Sequence, residues 1–115
     1  MNRQITFYKT YFMDFYLTLD PKTQKKIEFA LDMIKKAEDI PSKFFRHITG
    51  SDGLFEIRVT VHGNIYRIFC FFDKDKLVVL LNGFQKKTQK TPNNEIVIAE
   101  RLKREYYEDK QRRTS

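Results

Sequence analysis

The strongest constraint on the fold is a change in the spacing of apolar residues at the turn Gly50-Ser51-Asp52-Gly53. Before this turn, apolar side chains recur at helical spacing. After it, every second residue is apolar, which is the period of a β-strand with one buried face. Phe55, Ile57, Val59 and Val61 share that face. The turn therefore separates a helical half of the chain from a half made of strands.

Two more strands follow the first one. Turns at residues 62–64 and 73–76 divide residues 54–84 into three runs rich in aromatic and β-branched side chains. Connections this short join antiparallel neighbours. The sequence therefore predicts a three-stranded antiparallel meander over residues 54–84.

The first half of the chain predicts a short strand and a helical hairpin. Residues 4–8 have the composition of a strand, and the apolar residues of 12–19 are spaced as on one helical face. Asp20 and Pro21 suit the N-cap and the first position of a second helix, which we expect to end at Pro41. Its inner face would carry Ile27, Ala30, Leu31, Ile34 and Ala37.

A last helix is predicted from Pro92 to about residue 109, with Thr91 as its cap. Ile96, Ala99, Leu102 and Tyr106 would form its inner stripe. The predicted order is one strand, two helices, three strands and one helix, with the helices packed on the sheet. This is an α+β fold.

A length of 115 residues fits one domain, which we assign to residues 1–110, followed by a polar tail at 111–115. The single cysteine, Cys70, cannot form an internal disulfide or a zinc ribbon. Residues 1–8 lack the apolar region of a signal peptide, and no apolar run approaches the roughly 20 residues of a membrane span. We therefore expect a cytoplasmic protein with no membrane partner.

The formal net charge is +7, and residues 86–115 alone carry nine basic and five acidic groups. A basic domain of this kind has three classes of partner: nucleic acid, an acidic protein or a membrane surface. Net charge does not choose among these classes. The choice depends on where the cations lie.

Arg67 is the most informative single residue because it lies in the middle of an apolar strand. A charge in that position needs a partner or an open site. Strand alternation places it on the face of Ile65, Phe69 and Phe71. One interpretation is a structural arginine paired with Glu56 or an aspartate. The other is an arginine that a rigid sheet presents to a phosphate group.

Other basic residues could complete a phosphate site. Arg58 on the preceding strand is either an ordinary solvent-facing residue or a second guanidinium beside Arg67. Lys86, Lys87 and Lys90 follow the last strand and form either a solvated loop or a contact to the RNA backbone. Phe84 is either part of the core, which we favour, or a platform on which a base stacks.

The two histidines, His47 and His62, are candidate acids or bases, although exposed or packed histidines are commoner than catalytic ones. The sequence contains no metal-ligand cluster, glycine-rich phosphate loop or Ser/His/Asp set. We therefore expect no cofactor and no metal, and any catalysis would rest on Arg, Lys, Tyr or His. RNA cleavage fits this condition, because the 2′-hydroxyl of the substrate can act as the nucleophile.

Several segments resemble the RelE/ParE superfamily of toxins. Residues 54–59 (LFEIRV) resemble the strand "L-W/Y-E-L-R", and residues 65–68 (IYRI) resemble the "Y-R" strand. Residues 80–92 (LLNGFQKKTQKTP) resemble the segment "L-h-G-F-x-K-K-t-q-k-t-P" of the HigB-like, phage-related branch. Glu95, Ile96 and Ala99 match the start of that branch's final helix.

The resemblance implies a type II toxin that cuts translated mRNA on the ribosome. It also implies an antitoxin partner, a small helix-turn-helix protein through which operator DNA would be bound. By position, Arg67 matches the arginine that contacts the scissile phosphate, Arg58 a basic position, and Lys86 and Lys87 the basic pair after the last strand. RelE has a tyrosine shortly after that pair, whereas residues 88–95 contain none. His62, Tyr106 and Tyr107 remain candidates for the missing proton carrier.

Three functions are therefore compared. The first is a ribosome-dependent, metal-independent endoribonuclease that arrests growth. The second is a member of the superfamily that poisons another target such as gyrase without cutting RNA. The third is an inactive basic binding module.

Overall fold

The computed structural model describes residues 2–86 and 93–114, which form one β-sheet with helices on both faces. The predicted α+β fold is confirmed. The elements are β1 (Gln4–Phe7), α1 (Tyr11–Tyr16), α2 (Pro21–Lys36), β2 (Phe45–His47), β3 (Phe55–Val61), β4 (Asn64–Lys74), β5 (Leu77–Lys86) and α3 (Asn93–Thr114).

The sheet has the strand order β1-β5-β4-β3-β2. β3, β4 and β5 form the predicted antiparallel meander, whose strands extend slightly beyond the predicted end at residue 84. The first strand lies at the opposite edge from β2 and pairs with β5 in parallel, from Gln4 opposite Leu77 to Phe7 opposite Leu80. The sheet therefore joins the two halves of the chain.

β2 was not predicted from the sequence, in which no strand was expected between Pro41 and Gly50. The strand has only three residues, too few for an alternating pattern to be recognised. It pairs with β3 in antiparallel orientation, with Phe45 opposite Ile57 and Arg46 opposite Glu56. The rings of Phe45 and Phe55 stack at a centroid distance of 5.0 Å, which anchors the strand.

The sheet separates two apolar cores. On one face, Ile57, Val59, Ile68, Cys70 and Leu80 pack against Phe12 of α1 and against Ile27, Ala30 and Ile34 of α2. On the other face, Phe69, Phe71, Val79 and Leu81 pack against Ala99 and Leu102 of α3. Both faces of β4 are buried, which explains the nearly continuous apolar run in its sequence.

Both ends of α2 have a physical cause. The Asp20 carboxylate accepts a hydrogen bond of 2.8 Å from the backbone N–H of Thr23, as the N-cap prediction requires. Hydrogen bonding from the side chain of Thr23, and then from its backbone, lowers the pKa of Asp20. The helix ends at Lys36, not at Pro41. Arg3 donates hydrogen bonds to the carbonyl oxygens of Ile34 and Ala37, at 3.0 and 2.6 Å. Carbonyl groups at the end of the helix therefore have a partner without a further helical turn.

The inner stripe predicted for α3 is confirmed, since Ala99 and Leu102 are fully buried and Ile96 and Tyr106 pack beside them. The helix continues to Thr114, past its predicted end near residue 109. Contacts with the sheet hold this extension: the Asp109 carboxylate accepts from the Tyr8 hydroxyl at 2.5 Å, and Lys110 reaches Asp73 at 2.7 Å. Among the described helices, none combines the length and the apolar character needed to cross a bilayer.

Candidate nucleic-acid interface

Arg67 lies at the centre of the sheet and is buried, with 5% of its surface exposed. Its Nη1 atom lies 2.6 Å from Oε2 of Glu56 on β3. Glu56 is diagonal to Arg67 across the strand pair, because the residue directly opposite Arg67 is Arg58. The pairing with Glu56, which was one of the two interpretations of Arg67, is therefore present.

The electrostatic environment of Arg67 is unusual for a structural ion pair. Burial is the main cause that lowers the pKa of Arg67, and the nearby cations Arg58 and Arg46 lower it further, while Glu56 opposes them. Like charges directly opposite each other on neighbouring strands destabilise a sheet. Arg58 and Arg67 are such a pair of like charges on neighbouring strands. An anion bound over them would relieve their repulsion.

A β-bulge in β5 determines which side chains join this face. Leu81 and Asn82 together occupy the space opposite the single residue Phe69, between the pairs Ile68–Gly83 and Cys70–Leu80. The extra residue inverts the alternation of the strand. Phe84 and Lys86 consequently point to the same face as Arg67 rather than to the opposite one.

Two contacts fix the bulge. The side-chain amide of Asn82 donates to Glu95 Oε2 in the first turn of α3, at 3.2 Å. Gly83 lies under the ring of Phe15, and a Cβ atom at this position would come within 2.4 Å of Phe15 Cδ2. Glycine is therefore required for α1 to pack on β5 beside the bulge.

Lys86 lies opposite Ile65, at the open end of the β4–β5 pair, and is half-buried. Burial lowers the pKa of Lys86, the charges of Arg67 and Arg58 lower it further, and Glu56 raises it. The lysine is therefore close enough to the two arginines for their charges to act on it.

Arg46 is a member of this group that sequence reasoning missed. It is exposed on β2, directly opposite Glu56, and its charge acts on both Arg67 and Lys86. Because β2 itself was not predicted, no pattern in the sequence linked Arg46 to Arg58. We call Arg46, Arg58, Arg67 and Lys86, gathered around the single carboxylate of Glu56, the basic face.

The remaining residues predicted to bind RNA are Phe84, Lys87 and Lys90. Phe84 is opposite Arg67, and its ring meets Phe69 at a centroid distance of 5.2 Å, as a core residue does. Lys87 and Lys90, which were predicted to bind RNA with Lys86, lie outside the described residues.

Neither histidine joins the basic face. His62 is exposed in the β3–β4 turn with a φ of 50°, near enough to the Asp20 carboxylate to help lower its pKa. His47 contacts Phe55 edge-on at 5.3 Å, on the opposite face of the sheet from its neighbour Arg46.

Tyr106 and Tyr107 lie at the far end of β4. The Tyr106 hydroxyl donates to Asp73 at 2.7 Å, and burial followed by this bond raises its pKa to about 12. Asp73 is six positions after Arg67 along β4, a distance of roughly 20 Å. Neither tyrosine can therefore exchange a proton with a group bound at Arg67 in this arrangement.

No group of three or more His, Cys, Asp or Glu side chains within the described residues could hold a metal ion. Cys70 is fully buried on the other face of the sheet, and burial raises the pKa of its thiol. A thiol in this state is inert and serves as packing.

Residues 14–104 match the model of the family described as phage-derived protein Gp49-like (DUF891). This match covers most of the chain, including β2 to β5 and the first half of α3, and the chain therefore belongs to the Gp49-like family. It is a RelE-like toxin family, which confirms the resemblance of residues 54–99 to the RelE/ParE superfamily.

Solved structures similar to this chain include the crystal structure of the archaeal RelE–RelB complex from Pyrococcus horikoshii OT3. The identity is 14%, the TM-score is 0.46, and the match covers 72% of this chain and 93% of the other. No curated protein sequence matches this chain.

Proposed function

We propose that this member of the phage-derived Gp49-like family is the toxin of a type II toxin–antitoxin pair and acts as a metal-independent, ribosome-dependent endoribonuclease. It would cut translated mRNA in the cytoplasm and so arrest growth. Its partners would be the ribosome with its mRNA and a small helix-turn-helix antitoxin, through which operator DNA is bound.

The observation that carries this proposal is the basic face. Three guanidinium groups and one ammonium group, all carried by strands of the sheet, are gathered around a single carboxylate. Fixed cations arranged in this way stabilise the negative charge that develops on a phosphate during cleavage. Arg46, Arg58 and Lys86 are accessible to a phosphate, whereas Arg67 lies beneath them.

The four cations differ in what they can do. Arginine keeps its proton in proteins, so Arg46, Arg58 and Arg67 act only as charges and hydrogen-bond donors. Lys86 has a lowered pKa and is the member of the basic face able to give up a proton. In this proposal, the 2′-oxygen attacks the adjacent phosphorus and loses its proton to water, while the bond from phosphorus to the 5′-oxygen breaks. The products are a 2′,3′-cyclic phosphate and a 5′-hydroxyl, and the Lys86 ammonium donates the proton that the departing 5′-oxygen takes up.

Glu56 is the positioning residue of the site. It holds the Arg67 guanidinium at 2.6 Å and balances part of the surrounding positive charge, so the sheet tolerates the cluster before substrate arrives. The same pairing favours the third function, because an arginine neutralised by a carboxylate also suits an inactive binding module. A measurement of RNA cleavage distinguishes the endoribonuclease from the inactive binding module.

The test is cleavage of a defined mRNA by the purified protein, with and without stalled ribosomes, read by primer extension. The expected result is a cut only when ribosomes are present, reduced at least about 100-fold by Arg58→Ala, in the range found when one transition-state donor is removed. Arg101→Ala, an exposed change on α3, is the matched control. If the purified protein leaves the mRNA intact but its expression in cells arrests growth, the result would instead indicate a gyrase-type poison.

A further inference from the structure

A second surface lies along the outer edge of β1, away from the basic face. An open cleft of about 1060 Å³ runs between the end of α2, strand β1 and the last turns of α3. β1 is separated from β4 by β5, and it pairs with residues 77–80, whereas Arg67 is opposite Phe84. The cleft and the basic face are therefore different sites.

The backbone of β1 makes this edge a template for another strand. The N–H groups of Gln4 and Tyr8 point to β5, where they donate to Lys76 and Leu80 at 2.7 and 3.1 Å. Alternation along the strand turns the amide and carbonyl groups of Ile5 and Phe7 the other way, into the cleft. Among the described strands, only β5 pairs with β1.

The charged residues that line the cleft indicate the charge of a molecule that could bind there. Five basic residues and one acidic residue line it: Arg3, Lys9, Lys35, Arg112 and Arg113, with Asp109. Arg3 is committed to carbonyl groups of α2, and Arg112 is bonded to Asp109. Lys35 and Arg113 are exposed at the two sides of the cleft. An occupant that runs between them would carry negative charge.

An apolar contact is also available at this edge. Phe7 has 45% of its surface exposed, and its ring contacts Phe12 at a centroid distance of 5.1 Å. An unpaired strand edge with an exposed aromatic side chain is a liability unless something covers it. Backbone pairing favours a peptide over RNA, because RNA has no means of continuing the ladder of a sheet.

We propose that the cleft along β1 docks an extended, acidic segment of a partner protein, which adds a strand beside β1. The occupant's backbone pairs with Ile5 and Phe7, and its carboxylates lie between Lys35 and Arg113. The identity of the partner as the antitoxin rests on the function proposed above. The docking surface itself rests only on the geometry of β1 and the charges around it.

Binding of a model peptide tests the docking surface directly. The probe is a 12-residue peptide of alternating glutamate and valine, added to the full chain labelled with nitrogen-15. The expected result is that the Ile5 and Phe7 amides exchange at least ten-fold more slowly with the peptide bound. A lysine–valine peptide of equal length should have no such effect.

Two variant pairs test which atoms bind the peptide. Phe7→Pro removes an outward N–H and should weaken binding at least ten-fold, whereas Phe7→Val removes the same ring but keeps the N–H. Lys35→Glu with Arg113→Glu should weaken binding, and Lys25→Glu with Lys26→Glu, an equal charge change on exposed positions of α2, should weaken it far less.

Several outcomes would overturn the docking proposal. They are a lack of peptide binding, peptide signals at Arg58 and Lys86 instead of β1, and a 12-nucleotide single-stranded RNA that protects Ile5 and Phe7. None of these results depends on nuclease activity. Failure of the docking surface and failure of the proposed function can therefore be told apart.

Discussion

The Arg67 guanidinium lies 2.6 Å from the Glu56 carboxylate, although Arg58, another cation, is the residue directly opposite it. The ion pair is diagonal, and it leaves a like-charge pair across the strands. An arginine with a purely structural role would need only Glu56 as its ion-pair partner. The further presence of Arg58, Arg46 and Lys86 around the same carboxylate supports the proposal that this face binds phosphate.

The first prediction concerns the stability of this pair. Glu56→Gln leaves the buried Arg67 charge without its carboxylate, and breaking a buried pair in this way should cost about 3 kcal/mol of unfolding free energy. Urea denaturation measures the loss. Asp32→Asn, which breaks the exposed Asp32–Lys36 pair, should cost about 0.5 kcal/mol or less. Equal losses in the two variants would contradict a buried, coupled pair.

The second prediction concerns pH. In the proposed site Lys86 binds phosphate as a cation. Its pKa is lowered by burial and by Arg67, Arg58 and Arg46, against the opposite effect of Glu56. RNA affinity should therefore be highest below this lowered pKa and should fall as the pH rises through it, earlier than for an ordinary lysine. Lys86→Arg should keep the affinity constant over the same range.

Fluorescence anisotropy of a labelled RNA oligonucleotide at constant ionic strength measures this pH dependence. Lys74→Arg, at an exposed position at the end of β4, is the control and should leave the pH profile of the wild type unchanged. The same pH profile for the wild type and Lys86→Arg would remove Lys86 from the site.

The third prediction concerns the close approach of α1 to β5. Gly83→Ala would place a methyl group 2.4 Å from Phe15 Cδ2, so the ring or the strand must move. Overpacking of this kind costs about 1–3 kcal/mol. In combination with Phe15→Ala, the cost of Gly83→Ala should largely vanish, because the clashing ring is gone. Additive losses in the double variant would show that the methyl group meets a different obstacle.

The fourth prediction concerns the anchor of α3. The side chain of Asp73 is 4% exposed and accepts from Tyr106 and Lys110, both at 2.7 Å. Burial raises its pKa, but these hydrogen bonds outweigh burial and hold it below its ordinary value. A group with a lowered folded-state pKa stabilises the fold above its unfolded-state pKa, and this contribution is lost as the pH falls.

Asp73→Asn should therefore lower the unfolding free energy by about 1–3 kcal/mol at pH 7. The difference from the wild type should shrink below about pH 4, where the aspartate of the unfolded chain takes up a proton before that of the folded chain does. Thermal melts between pH 3 and pH 7 measure this, with Asp75→Asn in the following turn as the exposed control. A difference that stays constant with pH would exclude the ionised carboxylate as its source.

The local patterns of the sequence were sufficient for most elements of the fold. The two-residue period after Gly53, the Asp20 cap and the stripe of α3 depend on neighbours in the chain, and each is present. The ends of α2 and α3 could not be predicted in this way. They depend on Arg3 and Asp73, which are distant in sequence.

The candidate site was predictable only in part, for the same reason. Arg58 and Arg67 could be placed on one face because β3 and β4 alternate regularly. Lys86 reaches that face only because the bulge at Leu81 and Asn82 inverts the alternation of β5. An Asn-Gly pair inside a strand is the signal that could have indicated this bulge. No comparable signal marked Arg46.

In the proposed function, the basic face cuts mRNA during translation. The most direct measurement is a map of new mRNA 5′ ends in cells after a short pulse of expression, comparing the wild type with Arg67→Ala, Arg58→Ala and Arg101→Ala. The predicted result is in-frame cuts within translated regions, lost in the first two variants and kept in the third. Growth arrest without new 5′ ends, or cuts that persist in Arg58→Ala and Arg67→Ala, would contradict it.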